Sequence, residues 1–107
     1  MRHQMKLQQS PFEKIKEGTK TIEIRLNDEK RQLLQVGDEI EFTSLQNLEQ
    51  TVVTEVLELL PFSSFQKLFS QLPSKEYGGG VSSDMYNYYT KEDESRFGVL
   101  GINLRCK

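Results

Sequence analysis

Lys20, Glu23 and Arg25 sit close together in the run Gly18-Thr19-Lys20-Thr21-Ile22-Glu23-Ile24-Arg25. Their types suit three kinds of chemistry. An ammonium and a guanidinium can grip a phosphate or a base edge. A carboxylate can hold the guanidinium in place or accept from an exocyclic amine. A desolvated lysine or glutamate can also act as nucleophile or general base. If the run is a strand, Ile22, Ile24 and Leu26 point one way, and Thr21, Glu23 and Arg25 point the other. The charged face is then ordered by the apolar one. The plainer alternative is a solvated edge strand with ordinary surface charges.

Composition narrows the partners. The 107 residues carry 36% hydrophobic and 28% charged side chains and a net charge of −2, which indicates one globular domain over 1–107. An acidic balance argues against holding duplex nucleic acid by electrostatics alone. A local basic cleft with Lys14, Lys16, Lys20 and Arg25 remains compatible with a nucleotide or a short single strand. No apolar run reaches the ~20 residues of a membrane span. Met1-Arg2-His3-Gln4-Met5 lacks a secretory apolar core, so a cytoplasmic location is expected. His3 and Cys106 are single and far apart in sequence, so neither a transition-metal cluster nor a cofactor is expected, and Cys106 reads as a spare thiol.

Several elements must place the charged run. A weak first strand is expected from Met5 to Gln9. Ser10-Pro11-Phe12-Glu13 predicts a helix with a serine cap and proline in its first turn, closed by Gly18 in left-handed geometry. A strand over Thr19–Leu26 follows, then a loop or single turn that packs Leu33 and Leu34. Gly37-Asp38 predicts a turn into a strand at Glu39–Phe42, and Thr51–Leu59 the longest strand, broken by Pro61. Ser63 or Ser64 should cap a helix from Phe65 to Gln71. Gly78-Gly79-Gly80 reads as a connector or a mobile flap. A short helix holding Met85, Tyr86, Tyr88 and Tyr89 is expected next, then a helix start at Thr90 and a closing strand over Phe97–Leu104. The aromatics could stack on a base, with Tyr77 the lid residue and at least one of Tyr86, Tyr88 and Tyr89 packed in the core. Glu92, Asp93 and Glu94 read mainly as a solvated helix start. Strands enclosing short helices without βαβ alternation indicate an α+β domain whose sheet curls into a small barrel.

In this order the motifs resemble the ASCH domain family. Gly18, Lys20, Glu23 and Arg25 meet a G-x-K-x-x-E-x-R pattern, and Gly37, Asp38, Ile40 and Phe42 a G-D-x-I-x-F pattern. The resemblance implies a PUA-like β-barrel with flanking short helices, and a cleft for single-stranded RNA or a modified nucleoside or nucleotide, formed by Lys20, Glu23, Arg25, Tyr77, Tyr88 and Tyr89. Some single-domain bacterial members are similar to amidohydrolases that deacetylate N4-acetylcytidine with a lysine, a threonine and a glutamate. Lys20 matches that lysine, but Glu23 stands where the threonine would, and Glu76, Glu92 and Glu94 are the carboxylates available for the third role. Arg25 favours the free amine such catalysis needs; Glu23 favours the ammonium and hence a binding role. An RNA- or nucleotide-binding module is therefore expected ahead of an amidohydrolase using Lys20 and Glu23. A protein-interaction domain with a vestigial cleft comes third.

Overall fold

The computed structural model describes all residues, Met1–Lys107. Five strands form one mixed sheet in the order β1 (Arg2–Leu7), β3 (Glu39–Ser44), β4 (Thr51–Phe62), β5 (Val99–Cys106), β2 (Ile22–Leu26). β1 runs parallel to β3; the other pairings are antiparallel. Four helices accompany it: α1 (Gln9–Glu17), α2 (Phe65–Gln71), α3 (Ser74–Tyr77) and α4 (Lys91–Phe97). The architecture is α+β, a curled half-barrel with short helices.

Two apolar clusters lie on opposite faces of the sheet. On the concave face Phe12 and Ile15 of α1 pack with Ile40, Phe42, Val56 and Ile102. On the convex face Ile22, Ile24 and Leu26 meet Phe65, Leu68 and Tyr77. The alternation expected for β2 is present, but both of its faces are covered. The pairing register explains how. Glu23 lies opposite Ile102 and Arg25 opposite Leu100, and residues directly opposite share a face. The charged pair therefore points to the concave side.

The curl comes from β4, whose register with β5 shifts between Val56 and Glu58; a bulge at that point bends the strand and increases its twist. It brings the sheet's two outer strands, β1 and β2, near each other without joining them by a ladder. Side chains lace the gap instead. Arg25 Nη2 donates to the Lys6 carbonyl at 2.9 Å, and Lys30 Nζ to the Gln4 carbonyl at 3.3 Å. Bare carbonyls of an edge strand are thereby satisfied.

Several sequence expectations are corrected. The first strand ends at Leu7, and α1 begins at Gln9 rather than being capped by Ser10. The side chain of Gln9 bonds Glu13 at 2.8 Å, which supports the earlier start, and Pro11 stays in the first turn, where a missing N–H costs nothing. Pro61 does not break β4, which continues to Phe62. Past Val56 that strand pairs only with β5, so its other edge needs no donor. Leu34 is buried but Leu33 is exposed. Gly78, Gly79 and Gly80 form the expected connector: all three have positive φ (96°, 79° and 87°) and carry the chain from α3 into a 3-10 turn at Ser82–Asn87. The caps at Ser64 and Thr90 are present, each accepting from the amide three residues on.

The G-D motif has a structural role. Gly37 turns the chain with φ 93°, and the Asp38 carboxylate bonds His3 Nε2 at 2.9 Å and accepts from the Gln35 amide at 3.1 Å. It ties the start of β3 to β1.

Candidate functional site

A hollow of about 410 Å³ opens where the β1–β2 gap meets the start of α1. One wall is the end of β1 with the first turns of α1; the other is β2 with the segment from α3 to Tyr89. Lys20, Glu23, Arg25, Tyr77, Tyr88 and Tyr89 all line it. Residues far apart in sequence, from β2 and from the segment after α3, thus border one hollow.

Glu23 forms the centre. Its side chain is only 6% exposed, with Lys20 Nζ at 3.1 Å from Oε1 and Arg25 Nε at 2.8 Å from Oε2. Burial alone pushes a carboxyl toward its neutral form. The adjacent Lys20 and Arg25 charges outweigh that, and they hold Glu23 below the ordinary carboxylate range. Burial lowers the Arg25 value, yet Glu23 reverses the sign and the net shift is upward. The trio is thus a fixed ion cluster. Local structure sets it up: Gly18 ends α1 in left-handed geometry (φ 84°), and the Thr21 amide donates to the Glu76 carbonyl at 2.8 Å. Gly78 lies beside the Lys20 stem, where an added Cβ would stand 3.6 Å from Lys20 Cδ.

The aromatics divide by role. Tyr77 is buried rather than being a lid; its hydroxyl donates to the Phe69 carbonyl at 3.3 Å and its ring lies 4.6 Å from that of Phe69. Tyr89 stacks on Phe65 at 5.5 Å, and burial raises its hydroxyl pKa. Tyr88 is 70% exposed at the rim, free to cover a ligand. Tyr86 turns away, donating to Glu94 at 2.7 Å.

The late carboxylates fall outside. Glu94 is buried and accepts from the Phe65 amide at 2.7 Å, a helix cap rather than a solvated group. Neither Glu76 nor Glu92 lines the hollow, which leaves Glu23 its only carboxylate. Lys14 does line it, but Lys16 borders a separate recess near Cys106. Sequence reasoning missed Lys6, because only the approach of β1 to β2 brings it to the hollow; the alternation of Met5 and Leu7 inward with Lys6 outward was the available signal.

A curled mixed sheet, laced at its open gap and bearing a charged hollow there, is the architecture of a PUA-like domain. The ASCH domain model matches residues 5–105, and the chain belongs to that family. Among solved structures, the hypothetical protein PH0355 is similar over 100% of both chains at 29% identity, with a TM-score of 0.88. PF0455 from Pyrococcus furiosus is similar over 99% of this chain and 97% of its own, at 28% identity and a TM-score of 0.77. The S128A mutant of ZmASCH from Zymomonas mobilis shares the fold, covering 97% of this chain and 67% of its own at 13% identity and a TM-score of 0.66. No curated protein matches. No helix is long and apolar enough to cross a membrane.

Proposed function

We propose that the hollow binds a single-stranded RNA segment or a modified nucleoside or nucleotide, taking one heterocycle between Tyr88 and the Lys20–Glu23–Arg25 cluster. The observation that carries this reading is the buried Glu23 carboxylate held between two cations within a cavity of about 410 Å³. A carboxylate offers about four lone-pair directions. Two are engaged, so an exocyclic amine of a base can use another. Arg25 spends Nε on Glu23 and Nη2 on the Lys6 carbonyl, leaving Nη1 to face a base edge or phosphate. The Tyr88 ring supplies a stacking surface worth about 1 to 3 kcal/mol per base.

Lys20→Ala tests the reading cleanly, because Glu23 keeps Arg25 and the fold keeps its lacing. A charge-assisted hydrogen bond is worth about 1.5–3 kcal/mol, so affinity for single-stranded RNA or a nucleoside should fall roughly 10- to 100-fold by calorimetry. A wild-type protein that binds neither short RNA oligomers nor any of a nucleoside panel at low salt would remove the proposal.

Amidohydrolysis has less support. Glu23 is the sole carboxylate of the hollow, and its two cations make it a weak base. With protein in excess, N4-acetylcytidine should remain intact; released cytidine, followed by chromatography, would reverse the ranking.

A further inference from the structure

The two walls of the hollow differ in kind. The β2 wall carries the Glu23 ion cluster and the tyrosines; the β1–α1 wall carries Lys6, Ser10 and Lys14 with no carboxylate. Lys20 and Arg25 are committed to Glu23, whereas neither Lys6 nor Lys14 belongs to any ion pair of the molecule, although acidic residues outnumber basic ones by 16 to 14. Lys6 and Lys14 come from different elements, so sequence spacing alone does not make them neighbours. They line the same wall because the chain passes from β1 into α1 within two residues. Two uncompensated ammonium groups on one wall repel each other, and an anion between them removes that cost. The start of α1 adds to the positive character of this wall, since its first turn holds no acidic side chain and no side chain caps it.

From this arrangement we infer that Lys6 and Lys14, with the Ser10 hydroxyl, form a phosphate subsite, so that the ligand of the hollow is a phosphate-bearing nucleotide unit rather than a free nucleoside. The inference rests on the base-binding reading of the opposite wall and adds the class of ligand to it. A nucleoside monophosphate and one phosphodiester unit of single-stranded RNA present the same chemistry. In either, the heterocycle lies against Glu23 and Tyr88, and the phosphate reaches across to the lysines. Lys6 serves this site through its side chain alone; its carbonyl stays with Arg25. Both ammonium groups are on exposed side chains, so removing them leaves the core and the lacing intact.

Calorimetry of the 107-residue protein with adenosine, cytidine, their 5′- and 3′-monophosphates and a short single-stranded oligomer reads out the subsite. The better monophosphate of each pair should bind at least about tenfold more tightly than its nucleoside. This advantage should shrink with added salt, and Lys6→Ala/Lys14→Ala should bring the monophosphate down to the level of the nucleoside. If the subsite serves RNA, the oligomer outbinds the monophosphates and loses affinity in the same variant; if it serves free nucleotides, the oligomer gains nothing. Nucleosides and monophosphates binding equally to the wild type, or a phosphate preference that survives the double variant, would overturn the subsite while leaving the base reading in place. Failure of every probe to bind would overturn both.

Discussion

Glu23→Ala should destabilise the ligand-free protein by about 3–5 kcal/mol, the usual cost of removing one partner from a buried ion cluster. Lys20 and Arg25 are 11% and 14% exposed, so both would be left as scarcely hydrated cations facing each other without a counter-ion. At roughly 4 °C or more per kcal/mol for a domain of this size, the melting temperature should drop by more than about 10 °C. Glu23→Gln should show much of the same loss, because it keeps the shape and deletes the charge. The pH dependence carries a sign. Since the folded carboxyl lies below its ordinary value, its contribution is fully present above the unfolded-state pKa. It is lost as the pH falls through the folded one. The stability gap between wild type and Glu23→Gln should therefore be widest near neutrality and close in acid. Urea midpoints measured across that range decide the matter: a gap independent of pH, or a loss under about 1 kcal/mol, would mean that water screens the cluster as it does an exposed pair.

Phe65→Ala should cost a similar amount, about 3–5 kcal/mol, by opening a cavity in the convex cluster. The ring is fully buried, stacked on Tyr89 at 5.5 Å and edge-on to Tyr86 at 6.0 Å. Its own amide is held by Glu94, whose other oxygen takes the Tyr86 hydroxyl. One side chain thus anchors α2 to the segment that lines the hollow. Such aromatic pairs contribute about 0.5–1.5 kcal/mol each beyond simple burial. Phe65→Leu, which keeps most of the volume, should recover much of the stability but not the support beneath Tyr89. Ligand affinity should consequently fall in Phe65→Leu more than its urea midpoint suggests. Equal affinity for wild type and Phe65→Leu would show that the Tyr89 wall stands without its stacking partner.

What was legible in the sequence is what short-range geometry governs. Gly18 after a short amphipathic helix, Ser64 and Thr90 ahead of theirs, and the period of two in Ile22, Ile24 and Leu26 are each decided by a few neighbouring dihedrals, and each appears as expected. The charged trio was readable for the same reason, since alternation places Glu23 and Arg25 on one face and a three-residue offset brings Lys20 within reach. Whether that face met water or the barrel interior was not a local question. It depended on β2 pairing with β5 in a register that sets Glu23 opposite Ile102, and on a bulge in β4 that curls the sheet until β1 approaches from the far edge. The same closure admitted Lys6 and Lys14 to the hollow and left Lys16 outside. It also sank Tyr77 into the wall, left Tyr88 at the rim and turned Glu94 into a cap for α2. Alternation names the residues that share a face, because it is a property of a single extended chain. Which surfaces enclose them is a sum over contacts distant in sequence, and that sum exists only once the sheet has curled.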